Sequence, residues 1–93
     1  MNKKINVQEI TSIFNENRIK ILLQLFECNE NICGCDLVEQ IGIPKNLLSY
    51  HMKILEKRKI IEEKRCGQKK NYGLTDKGIA LVKQIIKLQE IIK

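Results

Sequence analysis

Apolar residues recur in this chain at helical spacing in five places, and between the fourth and fifth the rhythm gives way to a turn-punctuated stretch. Val7, Ile10, Ile13 and Phe14 mark a short amphipathic helix over residues 7–14. After the polar break Asn15-Glu16-Asn17 a second helix is predicted over residues 18–26, with Ile19, Leu22, Leu23 and Phe26 on one face and Ile21 and Leu25 adding another. So much apolar surface makes this helix the expected centre of the core, and Asn15 or Asn17 can cap it. Residues 28–34, C-N-E-N-I-C-G, read as a turn-rich connection, with Asp36 able to cap or complement the helix that follows.

Residues 36–55, D-L-V-E-Q-I-G-I-P-K-N-L-L-S-Y-H-M-K-I-L, carry two short helices and a tight turn. Leu37 and Ile41 share a face of the first, Gly42 can end it in a left-handed conformation, and Pro44 can open the second with its fixed φ. That is a helix-turn-helix over about residues 36–56. In its second helix Leu48, Met52 and Leu55 form a buried stripe, and Lys45, Asn46, Ser49, Tyr50 and Lys53 fall together on the opposite side. Those five side chains can reach phosphates and base edges, and an α-helix fits the major groove of a duplex.

Ile60 and Ile61 then begin a strand, Cys66-Gly67-Gln68 supplies a turn, and residues 69–74 return as its partner. The tip of this hairpin carries Lys64, Arg65, Gln68, Lys69 and Lys70. A hairpin of this kind beside a helix-turn-helix is a wing, over about residues 60–74. Thr75-Asp76 caps a last helix over residues 77–92, with one stripe of Leu81, Ile85, Leu88 and Ile92 and another of Ile79, Val82 and Ile86. One stripe can close the core; the other, with the helix at 7–14, is assigned to a two-fold partner. The expected fold is mainly α with a small β-hairpin: a single winged helix-turn-helix domain dimerising through its N- and C-terminal helices.

Composition sharpens this picture at three points. A chain of 93 residues makes one small domain whose core leaves surface for a second copy to cover. The net charge of +6 is unevenly placed: residues 45–70 carry nine Lys/Arg against three Asp/Glu, whereas residues 1–44 carry four against six. An excess concentrated on the groove helix and wing points to double-stranded DNA, because cations gain affinity for a duplex by releasing its counterions. A homodimer would present two such helices to a pseudo-palindromic operator. The start M-N-K-K-I-N-V-Q-E-I lacks the apolar run of a secretory signal and no window approaches a membrane span, so a cytoplasmic protein with no membrane partner is expected. In a reducing compartment the four Cys are free thiols, metal ligands or redox sensors rather than structural disulfides.

Several strings together resemble the ArsR/SmtB family of small winged-helix repressors: N-R-I-K-I-L-L-Q-L at 17–25, I-C-G-C-D-L at 32–37, L-S-Y-H-M-K-I-L at 48–55 and G-Q-K-K-N-Y-G-L at 67–74. The resemblance implies a dimeric DNA-binding repressor that leaves its operator when a metal or metalloid ion binds. It places that ion on Cys33 and Cys35, soft thiolate ligands beside a helix N-terminus, and implies As(III), Sb(III), Cd(II) or Cu(I) as inducer, with no constitutive cofactor. Two residues apart on a regular helix, the pair would diverge by ~200°, so both can hold one ion only if the helix starts after them or unwinds there. Where arsenic-responsive members carry a third Cys this chain has Val38, which leaves Cys28 as the nearest further thiol and Cys66 as a remoter one. The last helix lacks the Asp, His and Glu of zinc-responsive members, no Cys precedes Cys28, and Pro44 replaces the usual Ser.

Other readings remain for the same residues. Cys33 and Cys35 also suit a redox-controlled or metal-independent DNA-binding regulator, or two small hydrophobes that bind nothing. A thiol enzyme with His51 as base is disfavoured, since His51 lies on the inward side of its helix and no anion cradle or acidic pair accompanies it. A winged helix that binds only protein would leave the basic stretch without a role.

Overall fold

The computed structural model describes residues 4–28 and 32–93, apart from the side chain of Cys66. Short polar side chains set the helix starts. Asn6 accepts from the Glu9 N–H at 3.1 Å to open α1 (Val7–Ile13), and Asn15 accepts from the Asn17 and Arg18 N–H groups at 2.9 and 3.2 Å to open α2 (Glu16–Glu27). Asn15, not Asn17, is therefore the cap. Ile21, Leu22 and Leu25 of α2 are the buried residues, while Ile19, Leu23 and Phe26 are half-buried, so the face expected to be secondary is the one that meets the core.

The segment expected to be only a turn contains a strand. Ile32 and Cys33 form β1 and pair antiparallel with Tyr72 and Asn71, adding a third strand to the hairpin in the order β1-β3-β2. Two residues are too few for alternation to be seen in a sequence. The middle of the expected turn, residues 29–31, lies outside the described residues. Cys33 is the N-cap of α3 (Gly34–Ile41), which places Asp36 in the first turn rather than at the cap. Gly42 ends α3 at φ 79°, its N–H donating to the Val38 carbonyl at 2.9 Å. Pro44 precedes α4 (Lys45–Lys57) by one residue and so stands at the cap rather than inside the helix.

The exit from α4 fixes the wing. Arg58 is still helical, Lys59 takes φ 60°, and the Lys59 and Ile60 N–H groups donate to Glu56 and Leu55 carbonyls at 2.9 and 3.0 Å. This is a Schellman ending with Lys59 at the left-handed position usually given to glycine, and Leu55 and Ile60 make its buried apolar pair. β2 (Ile61–Cys66) follows, turns through Gly67-Gln68 and returns as β3 (Lys69–Leu74) in register from Ile61 opposite Leu74 to Cys66 opposite Lys69.

Thr75 closes the circuit. Its N–H donates to the Ile60 carbonyl at 3.0 Å, its hydroxyl lies 2.7 Å from the Lys59 carbonyl, and the same oxygen accepts from the Gly78 N–H at 3.1 Å to cap α5 (Asp76–Ile92). Gly78 is pressed so closely to this junction that a Cβ there would collide with the Ile60 carbonyl oxygen.

The core gathers Ile21, Leu22 and Leu25 of α2, Leu37 of α3, Leu48, Met52 and Leu55 of α4, Ile60, Ile61 and Val82. From α5 it takes Val82 with half-buried Leu81 and Ile85, so the two stripes read in the sequence do not divide cleanly. Ile79, Ile86, Leu88, Ile91 and Ile92 remain exposed, as do Val7, Ile10 and Phe14 at the other end of the chain. Among the described residues no helix is long and apolar enough to cross a membrane.

Two substitutions test the junction by urea unfolding. Gly78→Ala is expected to cost ~2–4 kcal/mol, because the collision is with backbone that cannot give without moving β2. Lys59→Gly is expected to gain ~1 kcal/mol by relieving the left-handed conformation.

Candidate nucleic-acid interface and thiol pair

α4 divides along its length into two faces. Leu48, His51, Met52 and Leu55 are buried, and Lys45, Asn46, Ser49, Tyr50 and Lys53 are all exposed and border one shallow surface. Lys45 and Lys53 make no ion pair among the described residues, so both ammonium groups are free for an anion. The wing cations are partly held by the wing's own acids. Lys64 lies 3.5 Å from Glu62, and Arg65 and Lys70 lie 3.9 and 3.8 Å from Glu63. Such exposed pairs contribute little to stability and exchange readily for phosphate. Glu63 sits between those cations and Glu56, whose carboxyl is pushed above its ordinary range by burial first and by Glu63 second.

Helix and wing converge. A cleft of about 530 Å³ opens between the start of α3, α4 and the hairpin, with Lys45 and Ser49 on one bank and Gln68, Lys69 and Lys70 on the other. Of the ten residues singled out in the sequence for DNA, five thus border one cavity, Asn46, Tyr50 and Lys53 continue the α4 bank, and Lys64 and Arg65 lie on the exposed part of β2. The inner wall is apolar: Val38, Leu48, Met52 and the ring of Tyr72. Tyr72 packs flush against Gly34, where a Cβ would stand 3.3 Å from the ring. Burial, ahead of the nearby carboxylates, pushes the Tyr72 phenol above its ordinary value, so it is neutral and can only donate or accept a hydrogen bond.

Cys33 and Cys35 line the same cleft at the α3 entrance. Cys33 has extended backbone (φ −63°, ψ 139°) and Cys35 is the second residue of the helix, so the pair straddles the helix start. The ~200° divergence of two helical positions does not arise. The two side chains hydrogen-bond to each other, which holds the Cys33 thiol below its ordinary value and pushes that of Cys35 up. Cys33 makes no capping bond of ordinary geometry, yet the Cys35 and Asp36 N–H groups lie near enough to favour its thiolate further. One thiolate accepting from one thiol is the resting arrangement. Cys28 is half-buried against the core, and among the described residues no three His, Cys, Asp or Glu side chains gather closely enough to hold a metal ion. The Cys66 side chain lies outside the described residues.

A polar contact that the sequence did not reveal steadies α4 from behind. The Arg18 Nε–H donates to His51 Nδ1 at 3.1 Å, and another of its N–H groups donates to the Ser12 carbonyl at the end of α1 at 2.6 Å. The guanidinium also lies 5.9 Å from the centre of the Tyr50 ring, itself edge-on to His51 at 5.4 Å. His51 must therefore be neutral, with its proton on Nε2, which is buried without a partner. The residues are 33 apart in the chain, and a lone inward His next to an unremarkable helix-start Arg carries no local signal.

Residues 15–63 match the model of the bacterial regulatory proteins of the arsR family. An HTH-type transcriptional regulator of Methanocaldococcus jannaschii is 30% identical over 95% of this chain and 96% of its own length. The arsenical resistance operon repressor of Staphylococcus xylosus is 32% identical over 68% of this chain, which spans 60% of that repressor. Among solved structures, the DNA complex of MepR from S. aureus superposes with a TM-score of 0.80 at 21% identity, covering 89% of this chain and 70% of that one. The shared fold is the winged helix-turn-helix.

Burial first, and the Arg18 charge second, hold the His51 pKa below its ordinary value. The unfolded chain therefore takes up this proton at a higher pH than the folded one. The contribution to stability is complete above about pH 6.5 and is lost as pH falls through that value toward the depressed one. The melting temperature is expected to fall between pH 7.5 and 5, and His51→Asn, which keeps an acceptor for Arg18 but does not titrate, is expected to show a shallower fall. An identical slope in the variant would remove His51 from the acid response.

Proposed function

The chain belongs to the arsR family of bacterial regulatory proteins, and we propose on that premise that it is a DNA-binding transcriptional repressor acting as a homodimer. The observation that carries this reading is the convergence of the Lys45 to Lys53 face of α4 and the Gln68 to Lys70 tip of the wing on one cleft. An α-helix fills a major groove while a hairpin beside it follows the sugar-phosphate backbone, and only a surface with both on one side can do so together. Asn46 and Lys45, near the start of α4, are placed to reach base edges; Ser49, Tyr50, Lys53 and the wing residues Lys64, Arg65, Gln68, Lys69 and Lys70 are placed for phosphates. Family and fold are those of transcriptional regulators, not enzymes.

Dimerisation is supported by the apolar residues that one copy leaves in water. Val7, Ile10 and Phe14 of α1 and Ile79, Ile86, Leu88, Ile91 and Ile92 of α5 form a far larger exposed set than a monomer of this size usually tolerates. A two-fold axis between these helices would bury them and present two α4 helices to one operator.

The inducer site of this proposal is the thiol pair. As(III), Sb(III), Cd(II) and Cu(I) are soft enough for Cys33 and Cys35, and a ligand held there would stand at the head of the cleft whose banks include Lys45, Ser49, Gln68, Lys69 and Lys70. Cys28 does not join the pair in this conformation, so two sulfurs are what the site offers. The mutual hydrogen bond of Cys33 and Cys35 favours a second reading, in which oxidation joins the same two sulfurs and the DNA response is a redox one.

Binding to a duplex selected from random sequence tests the reading. Affinity is expected to fall steeply with salt; Lys53→Ala should weaken it and lower the slope of log K against log salt by about 1, and Glu39→Ala on α3 should change neither. Cys33→Ser should bind DNA as tightly as the wild type and ignore the soft ions. An affinity indifferent to salt and to Lys53 would reject a nucleic-acid interface here.

A further inference from the structure

The cleft's inner wall has no role in gripping DNA. Val38, Leu48, Met52 and the Tyr72 ring enclose an apolar recess within a cavity of about 530 Å³, inside the ~300–1,000 Å³ usual for small-molecule sites. Cys33 and Cys35 stand at its edge, Cys35 exposed and Cys33 half-exposed, so both sulfurs can be reached from solvent and from the recess. Val38 lies one helical turn beyond Cys35, on the same side of α3. That position could have supplied a third sulfur to the pair, and it supplies a hydrophobic wall instead.

We infer that this site selects a trivalent arsenic or antimony centre bearing one apolar organic substituent, R–As(III) or R–Sb(III), over the inorganic ion. The inference rests on the reading of the thiol pair as the inducer site and names its ligand class. An inorganic As(III) centre has three exchangeable positions, and two sulfurs leave the third to water. R–As(OH)2 has two exchangeable positions and one carbon. Each thiol replaces one hydroxide, so two As–S bonds form, two As–O bonds break and two waters leave; the As–C bond and the arsenic oxidation state are unchanged. The substituent then has the Val38, Leu48, Met52 and Tyr72 wall to cover it. Its body would occupy the space between Ser49 and the wing tip, so ligand and duplex would compete for the cleft.

The test uses the reduced full-length chain with phenylarsonous acid, methylarsonous acid and arsenite, each in competition with dithiothreitol, which removes the affinity that any bare dithiol would have. Intact-protein mass and free-thiol titration give stoichiometry and site, and operator release is read separately. One phenylarsenic group per chain, on Cys33 and Cys35, is expected. Relative to dithiothreitol, phenyl should be favoured over methyl and over arsenite by tenfold or more, and Val38→Cys should strengthen arsenite by at least tenfold. Equal relative affinities for the three ligands, or phenylarsenic carried on Cys28 or Cys66, would overturn the inference while leaving ion sensing intact. Failure of all three ligands to bind the pair would overturn both, and selective phenyl binding without operator release would uphold the site and reject its regulatory role.

Discussion

One oxygen atom, the hydroxyl of Thr75, holds the parts of this molecule that face outward in a single arrangement. It lies 2.7 Å from the carbonyl of Lys59, where α4 has just ended, and accepts from Gly78, where α5 begins, while the Thr75 backbone is bonded to Ile60 at the foot of β2. The wing therefore cannot swing relative to the helix beside it without breaking a junction in which Lys59 already sits in a left-handed conformation and Gly78 has no room for a side chain. A groove-binding helix is useful only if the hairpin beside it meets the backbone at the same time. Here that relation is built into four residues rather than left to the loop.

The opposite end of α4 is steadied by a different force. Arg18 reaches from α2 to His51 and to the last turn of α1, and its guanidinium faces the ring of Tyr50 on the DNA-facing side. A buried hydrogen bond to a charged donor is worth more than a neutral one. It also couples α1, one of the helices with an exposed apolar face, to the helix that would read DNA. Movement of α1 on dimerisation would thus be felt at Tyr50 through one side chain. At the other side of α4 the cleft places Cys33 and Cys35 near the same helix, so partner, ligand and duplex all bear on it.

Much of this was legible in the sequence because it is local. Gly42, the Asn15 cap, the turn at Gly67-Gln68 and the Thr75 cap are each written within a few residues, and the split of α4 into Leu48, Met52, Leu55 against Lys45, Ser49, Lys53 follows from its period alone. The family resemblance rested on the same strings and is borne out. What escaped was long-range or very short. β1 is two residues paired to a strand nearly forty positions away. The Arg18–His51 bond joins two helices, and the choice of Ile21 and Leu25 over Ile19 and Phe26 as the core face of α2 is made by α3, α4 and α5 packing around it. The cleft itself was invisible, because Val38 and Tyr72 belong to different elements and only the fold brings them beside the thiols.

The most direct measurement is an amide NMR titration of the protein with a duplex it has selected from random sequence. Resonances of residues 45–53 and 64–70 are expected to shift together and at one stoichiometry, with the exposed ends of α1 and α5 unmoved. Shifts confined to either the helix or the wing, or centred on α1 and α5, would contradict a nucleic-acid interface formed by the two elements across one cleft.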